Sequence, residues 1–267
     1  MKILFIGDIV GKPGRRAVRE LLPAIVEERR IDFVIANCEN AAAGLGVTAD
    51  ILEELYGVGI DILTSGNHIW DKKEIMEIAD DCGRLLRPAN YPDGAPGQGS
   101  VVMPTRGGVD IGVINLAGRV FMPPLDCPFR TADREIDKMK KKARTILVDM
   151  HAEATSEKIA MGWYLEGRVT AVLGTHTHVQ TADERILPGG TAYITDVGMT
   201  GPFDSVIGIR KEAILKRFLL QIPVKFDVAK RDIRLQGVIV EVAPDGRAHC
   251  VERLNVALRE REVDFES

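Results

Sequence analysis

The chain alternates between short apolar runs and stretches with helical spacing, and this alternation strongly constrains its fold. Runs rich in β-branched residues predict seven strands, apolar enough to be buried on both faces. These strands are Ile3–Gly7, Phe33–Asn37, Ile60–Thr64, Ile111–Leu116, Ile146–Asp149, Ala171–Gly174 and Ala192–Thr195. Helical patterns lie between many of them, and this order predicts a largely parallel sheet with helices outside.

Four segments carry the helical pattern. Three of them are Val18–Val26 after Pro13-Gly14, Ile51–Tyr56 after Thr48, and Ile75–Ala79 after Asp71. Asp71 and Glu74 have the spacing of a capping box, which predicts the start of the third helix. A fourth helix is expected around Ala132–Arg144, and its basic run Lys138–Lys142 is interpreted as a solvated face.

The last forty residues have a different pattern from the rest. Lys225–Ala229, Arg234–Val242 and Ala248–Leu258 are strand-like, and Pro244-Asp245-Gly246 predicts a turn between the last two. Together they predict an antiparallel meander. A doubly wound half that ends in antiparallel strands predicts two sheets packed face to face, with helices covering both. Because no linker or repeat divides the sequence, we expect a single domain over residues 1–267.

Composition excludes several classes of protein. The apolar runs, such as Ile3–Ile6, are far shorter than the ~20 residues that span a bilayer, so no membrane segment is expected. The N-terminal residues are interpreted as a first strand and not as a signal peptide. Four scattered cysteines predict free thiols, and therefore a cytoplasmic location. A net charge of −4 and only 5% aromatic residues argue against a nucleic-acid platform.

Polar side chains with metal-binding chemistry follow most of the predicted strands. Asp8 follows the first strand, and His151 follows the strand that ends at Asp149. Three pairs complete the set: Glu39 and Asn40, Asn67 and His68, and His176 and His178. In open α/β sheets, ligands bind beyond the carboxyl ends of the strands, so we expect these side chains to meet at one edge.

These donors predict a metal centre. Four of the chain's five histidines belong to the set, and only His249 lies outside it. Oxygen and imidazole ligands without cysteine suit manganese, iron or zinc in an open catalytic site. Seven candidate ligands, the set without His68, are too many for one ion, and a carboxylate such as Glu39 can bridge the ions of a two-metal hydrolytic centre. We therefore expect two metal ions at this edge.

The motifs also occur in a recognisable order. A Gly-Asp opening at Asp8, an acid after the second strand, Gly66-Asn67-His68, a solitary His151 and a late His-x-His resemble the calcineurin-like metallophosphoesterase superfamily. Two departures narrow the resemblance. Val10 stands where that superfamily usually has histidine, and Glu39-Asn40 replaces its usual Gly-Asp. These replacements, and segments 66–74, 151–158, 174–183 and 194–202, resemble the YmdB-type family of bacterial phosphodiesterases over residues 2 to about 255.

The resemblance carries expectations about fold, site and substrate. It implies a four-layer α-β-β-α sandwich of two packed mixed sheets, with the metal site at the carboxyl ends of the strands. It implies one metal ion bound by Asp8, Glu39, Asn40 and His178, a second bound by Glu39, Asn67, His151 and His176, and His68 as proton donor. Iron, or manganese in its place, is the implied metal. The implied substrates are phosphodiesters, notably 2′,3′-cyclic nucleotides.

The implied reaction needs a nucleophile at neutral pH and a way to stabilise negative charge. A hydroxide that bridges two cations supplies the nucleophile, the cations polarise the phosphoryl oxygens, and His68 protonates the departing alkoxide. The alternative is a regulatory protein that binds a nucleotide through the same ions without turnover. A homo-oligomer stays open. RNA as a partner rests only on the charge of Arg15, Arg16, Arg19, Arg29 and Arg30.

Overall fold

The computed structural model describes residues 1–259, in which thirteen strands alternate with six α-helices. The strands are β1 (Lys2–Ile6), β2 (Asp8–Ile9), β3 (Phe33–Asn37), β4 (Ile62–Thr64), β5 (Ser100–Pro104), β6 (Asp110–Ala117), β7 (Thr145–His151), β8 (Ala171–Thr175), β9 (Arg185–Ile186), β10 (Ala192–Ile194), β11 (Met199–Pro202), β12 (Ile233–Val242) and β13 (Ala248–Ala257). The helices are α1 (Gly11–Arg29), α2 (Ala49–Gly57), α3 (Glu74–Ile78), α4 (Pro128–Met139), α5 (Thr155–Tyr164) and α6 (Lys211–Leu220). The predicted single domain extends to residue 267, so its last residues, 260–267, lie outside the described part of the chain.

Two mixed sheets organise the strands. The first has the order β2-β11-β12-β1-β3-β4, with β13 paired to β12. Its strands β1, β3 and β4 are parallel, and β12 runs antiparallel to β1, with Ile3 opposite Val240. The second has the order β5-β6-β7-β8-β10-β9, in which β6, β7, β8 and β10 are parallel. Because parallel neighbours end at the same edge, the loops that follow them converge there.

Three apolar clusters separate four layers. The first, which includes Leu22, packs α1 and α2 against the outer face of the first sheet. The second, which includes Phe5 and Leu147, fills the space between the two sheets. The third, which includes Ile136 and Met161, packs α4 and α5 against the second sheet. The predicted α-β-β-α sandwich of two packed mixed sheets is therefore confirmed. No helix in residues 1–259 is long and apolar enough to cross a membrane.

The close packing of α1 against the first sheet places the loop that carries Asp8. A β carbon at Gly14, in the first turn of α1, would lie 2.3 Å from the Thr200 carbonyl oxygen of β11. Only glycine permits this approach, because it has no β carbon. Strand β2 pairs with β11 in the same region, with Asp8 opposite Met199, and so fixes Asp8 at the carboxyl edge of the sheet.

The seven predicted core strands are all present, and none differs by more than two residues at either end. The last two segments of the predicted meander are β12 and β13. The strand predicted at Lys225–Ala229 is wrong, because this segment makes only an isolated bridge, between Val228 and Ile209. The Val228 side chain instead packs over the loops at Gly11 and Gly44, so the segment has no neighbouring strand to pair with.

The first three predicted helices are confirmed as α1, α2 and α3, and Thr48 caps α2 by accepting a hydrogen bond from the Ile51 N–H. The fourth, expected around Ala132–Arg144, instead spans Pro128–Met139. Proline is favoured in a first helical turn, which explains the earlier start. Most of the basic run Lys138–Lys142 therefore follows the helix.

The capping box predicted at the start of α3 is wrong. Glu74 Oε1 accepts a hydrogen bond from the Ala49 N–H at the start of α2, and Asp71 contacts His68. Glu74 thus satisfies a free backbone donor of a different helix, since the first N–H groups of any helix lack partners within it. Helices α5 and α6 were not predicted.

Candidate metal centre and active site

The predicted site residues meet at the carboxyl edge, where both sheets contribute to one cleft. The first sheet supplies Asp8 from β2, Glu39 and Asn40 after β3, and Asn67 and His68 after β4. The second sheet supplies His151 at the end of β7, and His176 and His178 after β8. All eight residues lie where the strand order predicted, and their donor atoms form two adjacent groups.

The first group surrounds His151. Its Nε2 lies 3.2 Å from Glu39 Oε1, 3.1 Å from Asn67 Oδ1 and 3.0 Å from His176 Nδ1. One donor atom from each of Glu39, His151 and His176 lies within 4.8 Å of the other two. Oxygen and imidazole donors this close together suit a transition-metal ion.

The second group consists of Asp8, Asn40 and His178. His178 Nε2 lies 3.2 Å from Asn40 Oδ1 and 3.9 Å from Asp8 Oδ1. Asp8 is fully buried, and its Oδ2 accepts a hydrogen bond from the His176 N–H. Its Oδ1 has no hydrogen-bond partner among the described residues. Because a buried carboxylate oxygen without a donor is costly, this atom fits a metal ligand.

Two of the three histidines are held by protein acceptors on the ring nitrogen that faces away from the cleft. Thr175 Oγ1 donates to Asp149, so it accepts from His151 Nδ1, 2.9 Å away. His178 Nδ1 donates to the Ile207 carbonyl oxygen at 3.0 Å. In the neutral form of each ring the proton stays on Nδ1, so Nε2 can offer its lone pair to a cation in the cleft. Such outer hydrogen bonds orient metal-binding histidines.

His176 has the opposite orientation. Its Nε2 donates to Glu153 Oε2 at 3.1 Å, which leaves Nδ1 directed at His151. Glu153 was not among the predicted site residues. A signal for it existed, because His151 and Glu153 are two residues apart and would share one face of an extended segment.

Burial and mutual contact shift the pKa values of the centre in opposite directions. Burial raises the pKa of Asp8 to about 7, although the His178 and His151 imidazoles oppose the rise. Burial would also raise the pKa of Glu39, but His151 outweighs it and lowers that pKa to about 2. Burial disfavours the charged form of His151, yet Glu39 raises its pKa to about 9. Burial, together with His151, lowers the pKa of His176 to about 3. The metal-free centre thus holds protons that a bound cation would displace.

The loop that carries the His-x-His motif has a strained backbone. The φ angles of His176 and His178 are 98° and 64°, in the left-handed region, which costs a non-glycine residue roughly 1–2 kcal/mol. Between them, the Thr177 N–H and hydroxyl both donate to Asp196 Oδ2. Asp196 is paired in turn with the buried Lys158 ammonium at 2.7 Å. This ion pair anchors the loop and so positions both histidines.

Gly66 leaves the space in which the first group forms. A β carbon at this position would lie 2.1 Å from His151 Nε2 and 2.4 Å from Glu39 Oε2. Any larger residue would therefore push these two side chains apart. The lack of a side chain at Gly66 therefore lets the donor atoms of Glu39 and His151 come together.

His68 lies beside the first group without contributing a ring nitrogen to it. Its backbone N–H donates to Glu39 Oε2 at 3.1 Å, and its Nδ1 lies 2.8 Å from Asp71 Oδ2. The Asp71 carboxylate holds the ring by one nitrogen, which leaves Nε2 available to a substrate in the cleft. Asp71 was assigned to a helix cap in the sequence, although its three-residue spacing from His68 also places both in a single turn.

A cleft of about 240 Å³ opens above the two groups. It is lined by Glu39, Asn40, His68, Glu153, His176, Thr177, His178 and Ile207. The unpartnered oxygen of Asp8, the three inward ring nitrogens and the space beside Gly66 all fit bound cations at the floor of this cleft. The chemistry this permits is attack on an anionic substrate whose charge the cations neutralise.

Comparison with known proteins gives a consistent result. Residues 4–254 match the family model described as YmdB-like protein. The chain is 53% identical over 242 residues to a 2′,3′-cyclic-nucleotide 2′-phosphodiesterase of Bacillus subtilis (strain 168), which covers 91% of each chain. It resembles the crystal structure of a hypothetical protein from Thermus thermophilus, with 44% identity, a TM-score of 0.91 and coverage of 96% of this chain and 99% of that one. A novel phosphatase from Mycoplasma pneumoniae is 36% identical, with a TM-score of 0.90 and coverage of 96% and 93%. Because the family model matches residues 4–254, nearly the whole of this chain, the chain belongs to the YmdB-like protein family.

Proposed function

We propose that this chain is a metal-dependent phosphodiesterase that hydrolyses 2′,3′-cyclic nucleotides. The observation that carries the proposal is the convergence of two donor groups, around Asp8 and His151, on the floor of one cleft. The 53% identity to a relative named as a 2′,3′-cyclic-nucleotide 2′-phosphodiesterase supports the substrate class. The fold alone would not support a substrate class, since one fold hosts many activities.

We propose two metal ions, arranged as the two donor groups suggest. One is held by Asp8, Glu39, Asn40 and His178, and the other by Glu39, Asn67, His151 and His176. Iron is the proposed metal, with manganese or zinc as alternatives, because all three accept oxygen and imidazole donors. When bound, such a pair of ions activates water at neutral pH and neutralises phosphoryl charge.

His68 donates the proton that the leaving oxygen needs. Its ring lines the cleft and is held by Asp71, so Nε2 can face the substrate. Water adds to phosphorus and releases one proton to solvent, the bond between phosphorus and the 2′ oxygen breaks, and that oxygen takes a proton from His68, which solvent then reprotonates. The product keeps its phosphate on the 3′ oxygen.

The cleft favours diesters over monoesters. Glu153 lies at the mouth with half of its side chain exposed, and it adds a third carboxylate to those of Asp8 and Glu39. At neutral pH a phosphodiester carries one negative charge and a monoester close to two. The extra charge of a monoester is repelled by these carboxylates, whereas the single charge of a diester is balanced by the cations.

A comparison of leaving groups tests the proposal. His68→Ala should keep its metal and lose roughly 10²–10⁴-fold in kcat/KM for cyclic nucleotides, the usual loss on removing a general acid. The loss should be smaller for bis-nitrophenyl phosphate, since nitrophenolate leaves without protonation. His249→Ala, on an exposed strand, is the matched control. An equal loss for both substrates would assign His68 to substrate binding instead.

The same assays decide between enzyme and regulator. Wild-type protein should hydrolyse bis-nitrophenyl phosphate faster than nitrophenyl phosphate under one metal condition. Metal-dependent nucleotide binding without turnover would support the regulatory alternative. A cytoplasmic location and a homo-oligomer stay predictions, and sedimentation equilibrium tests the second.

A further inference from the structure

A second and larger depression lies beside the cleft. It has a volume of about 760 Å³, and we call it the basic groove. Its charged lining residues are Lys12, Arg16, Arg210, Lys225 and Lys230, with Asp227 as the one carboxylate. The whole chain carries a net charge of −4, so this concentration of positive charge is local.

Two loops connect the groove to the cleft. The turn after β3 contains Asn40, which lines the cleft, and Ala43, which lines the groove. The segment that follows β11 has Ile207 in the cleft and Arg210 in the groove. A β carbon at Gly44 would lie 3.9 Å from Ile209 Cδ1, so the two loops lie side by side and the groove adjoins the cleft.

The free positive charge in this region lies in the groove. Arg16, Arg210 and Lys225 each contact one carboxylate. Lys12 and Lys230 are exposed, and neither has an ion pair within residues 1–259. Two unpaired ammonium groups on the rim of one groove are available to an anionic partner.

Of the five arginines first considered for RNA binding, four contact carboxylates, and Arg30, which has no ion pair within residues 1–259, lies at the C-terminal end of α1, far from Lys12 at its start. Arg15 and Arg19 on α1 both contact Glu54, and Arg29 contacts Glu252. Arg15 and Arg19 share one carboxylate, so the charge on this part of the surface is partly balanced. The electrostatic case for a nucleic acid therefore rests on the groove and not on the arginine face of α1.

We propose that the groove binds the single-stranded RNA that precedes a terminal 2′,3′-cyclic phosphate, so that the preferred substrate is an oligonucleotide. This inference rests on the proposed function. A cyclic phosphate occupies only the 3′ end of a strand, so the rest of the strand must leave the cleft along its wall. Each further nucleotide adds one phosphate charge for Lys12 and Lys230, and the apolar lining at Phe226 and Val228 offers a surface for bases.

The test compares a 2′,3′-cyclic mononucleotide with a short oligonucleotide that ends in the same group. The variant pair is Lys12→Ala with Lys230→Ala, and the control pair is Lys141→Ala with Lys142→Ala, which removes the same charge from an exposed turn after α4. In wild-type protein at low salt, kcat/KM for the oligonucleotide should exceed that for the mononucleotide by at least about tenfold, a difference of about 1.4 kcal/mol. In the groove variant this ratio should fall close to one, and the control should keep it.

Salt dependence gives a second measurement. Each phosphate contact to a single strand contributes about 0.7 to the slope of log affinity against log salt concentration, so losing both lysines should reduce the slope by about 1.4. Equal kcat/KM for the two substrates in wild-type protein, or a ratio that survives in the groove variant, would overturn the proposal. A change of oligomeric state in that variant, with an unchanged slope, would show that a second copy of the chain covers the groove.

Failure of the proposed function can be told apart from failure of the groove. If no cyclic nucleotide of any length is hydrolysed, the proposed activity is wrong. Fluorescence anisotropy with an oligonucleotide that ends in a 3′-phosphate then measures the groove alone. Weaker binding by the groove variant than by the control supports the groove, and equal binding overturns it.

Discussion

Two buried charged clusters lie side by side at the carboxyl edge, and they differ in how their charges are balanced. In the first, Asp196 Oδ2 accepts from Lys158 and Thr177, and its Oδ1 accepts from the Gly198 N–H. In the second, Asp8 is equally buried, but its Oδ1 has no donor among the described residues. Burial alone is the same in both clusters, so the missing partner is the difference.

This difference separates a structural site from a binding site. A buried carboxylate that is paired and fully hydrogen-bonded is complete within the protein. One that keeps a free oxygen raises the energy of the metal-free state, which shows in the elevated pKa of Asp8 near 7. The first cluster fixes the His-x-His loop, and the second would be completed by a cation.

The largest effect is expected from Glu39→Ala. Glu39 is the proposed bridge, so the variant should lose both metal ions and all measurable phosphodiesterase activity, whereas loss of an unshared ligand should spare one ion. Metal analysis of protein purified without oxygen measures this, with His249→Ala as the control. Two ions per chain in Glu39→Ala protein would remove Glu39 from the bridging role.

The next largest effect is expected from breaking the ion pair between Lys158 and Asp196. Lys158→Met leaves Asp196 charged and buried without its cation, which should lower the free energy of unfolding by about 3–5 kcal/mol. Urea unfolding with a chelator present measures this in the metal-free protein. Lys158→Met combined with Asp196→Leu removes both charges and should recover part of the loss. A single variant as stable as wild type would mean that water reaches Asp196.

Asp8→Asn should raise the free energy of unfolding of the metal-free protein, whereas Lys158→Met should lower it. The variant removes the uncompensated charge, so metal-free protein at pH 8 should gain about 1–3 kcal/mol in unfolding free energy. The folded pKa of Asp8 is raised from 3.8 to about 7, so wild-type stability falls as the pH rises through that range. The advantage of the variant should therefore vanish near pH 4. Unfolding curves at both pH values, with chelator, check the sign.

The smallest effect concerns Glu153, which holds His176 from outside the centre. Glu153→Gln keeps an acceptor for the Nε2–H but loses the charge, so metal affinity should fall by about tenfold, the lower end for such outer partners. Competition with a chelator measures it. Glu77→Gln, at an exposed position of α3, is the control. Unchanged affinity would show that Glu153 acts on the substrate alone.

The features predicted correctly from the sequence are those that depend on residues close together in the chain. Uniformly apolar segments such as Phe33–Asn37 were found as strands, and residues directly after them were found as site residues. Strand β2 was missed because a two-residue strand has no period to detect. Its four-residue partner β11 was missed because it ends in Gly201 and Pro202, which are uncommon inside strands. Asp196 was missed for a related reason, since only the fold brings it to Lys158, 38 residues away. Glu153 and Asp71 carried spacing signals and could have been found.

Because the donors come from both sheets, bound ions would link the two halves of the sandwich. Asp8, Glu39 and Asn67 follow strands of one sheet, and His151 and His176 follow strands of the other. The sheets could not separate without releasing the ions, so binding free energy, about 4 kcal/mol at a thousandfold excess over Kd, would add to the cohesion between them. Hydrogen exchange should then slow in both sheets together on loading. The metal ions that serve the reaction would thus also make the two sheets unfold as a single cooperative unit.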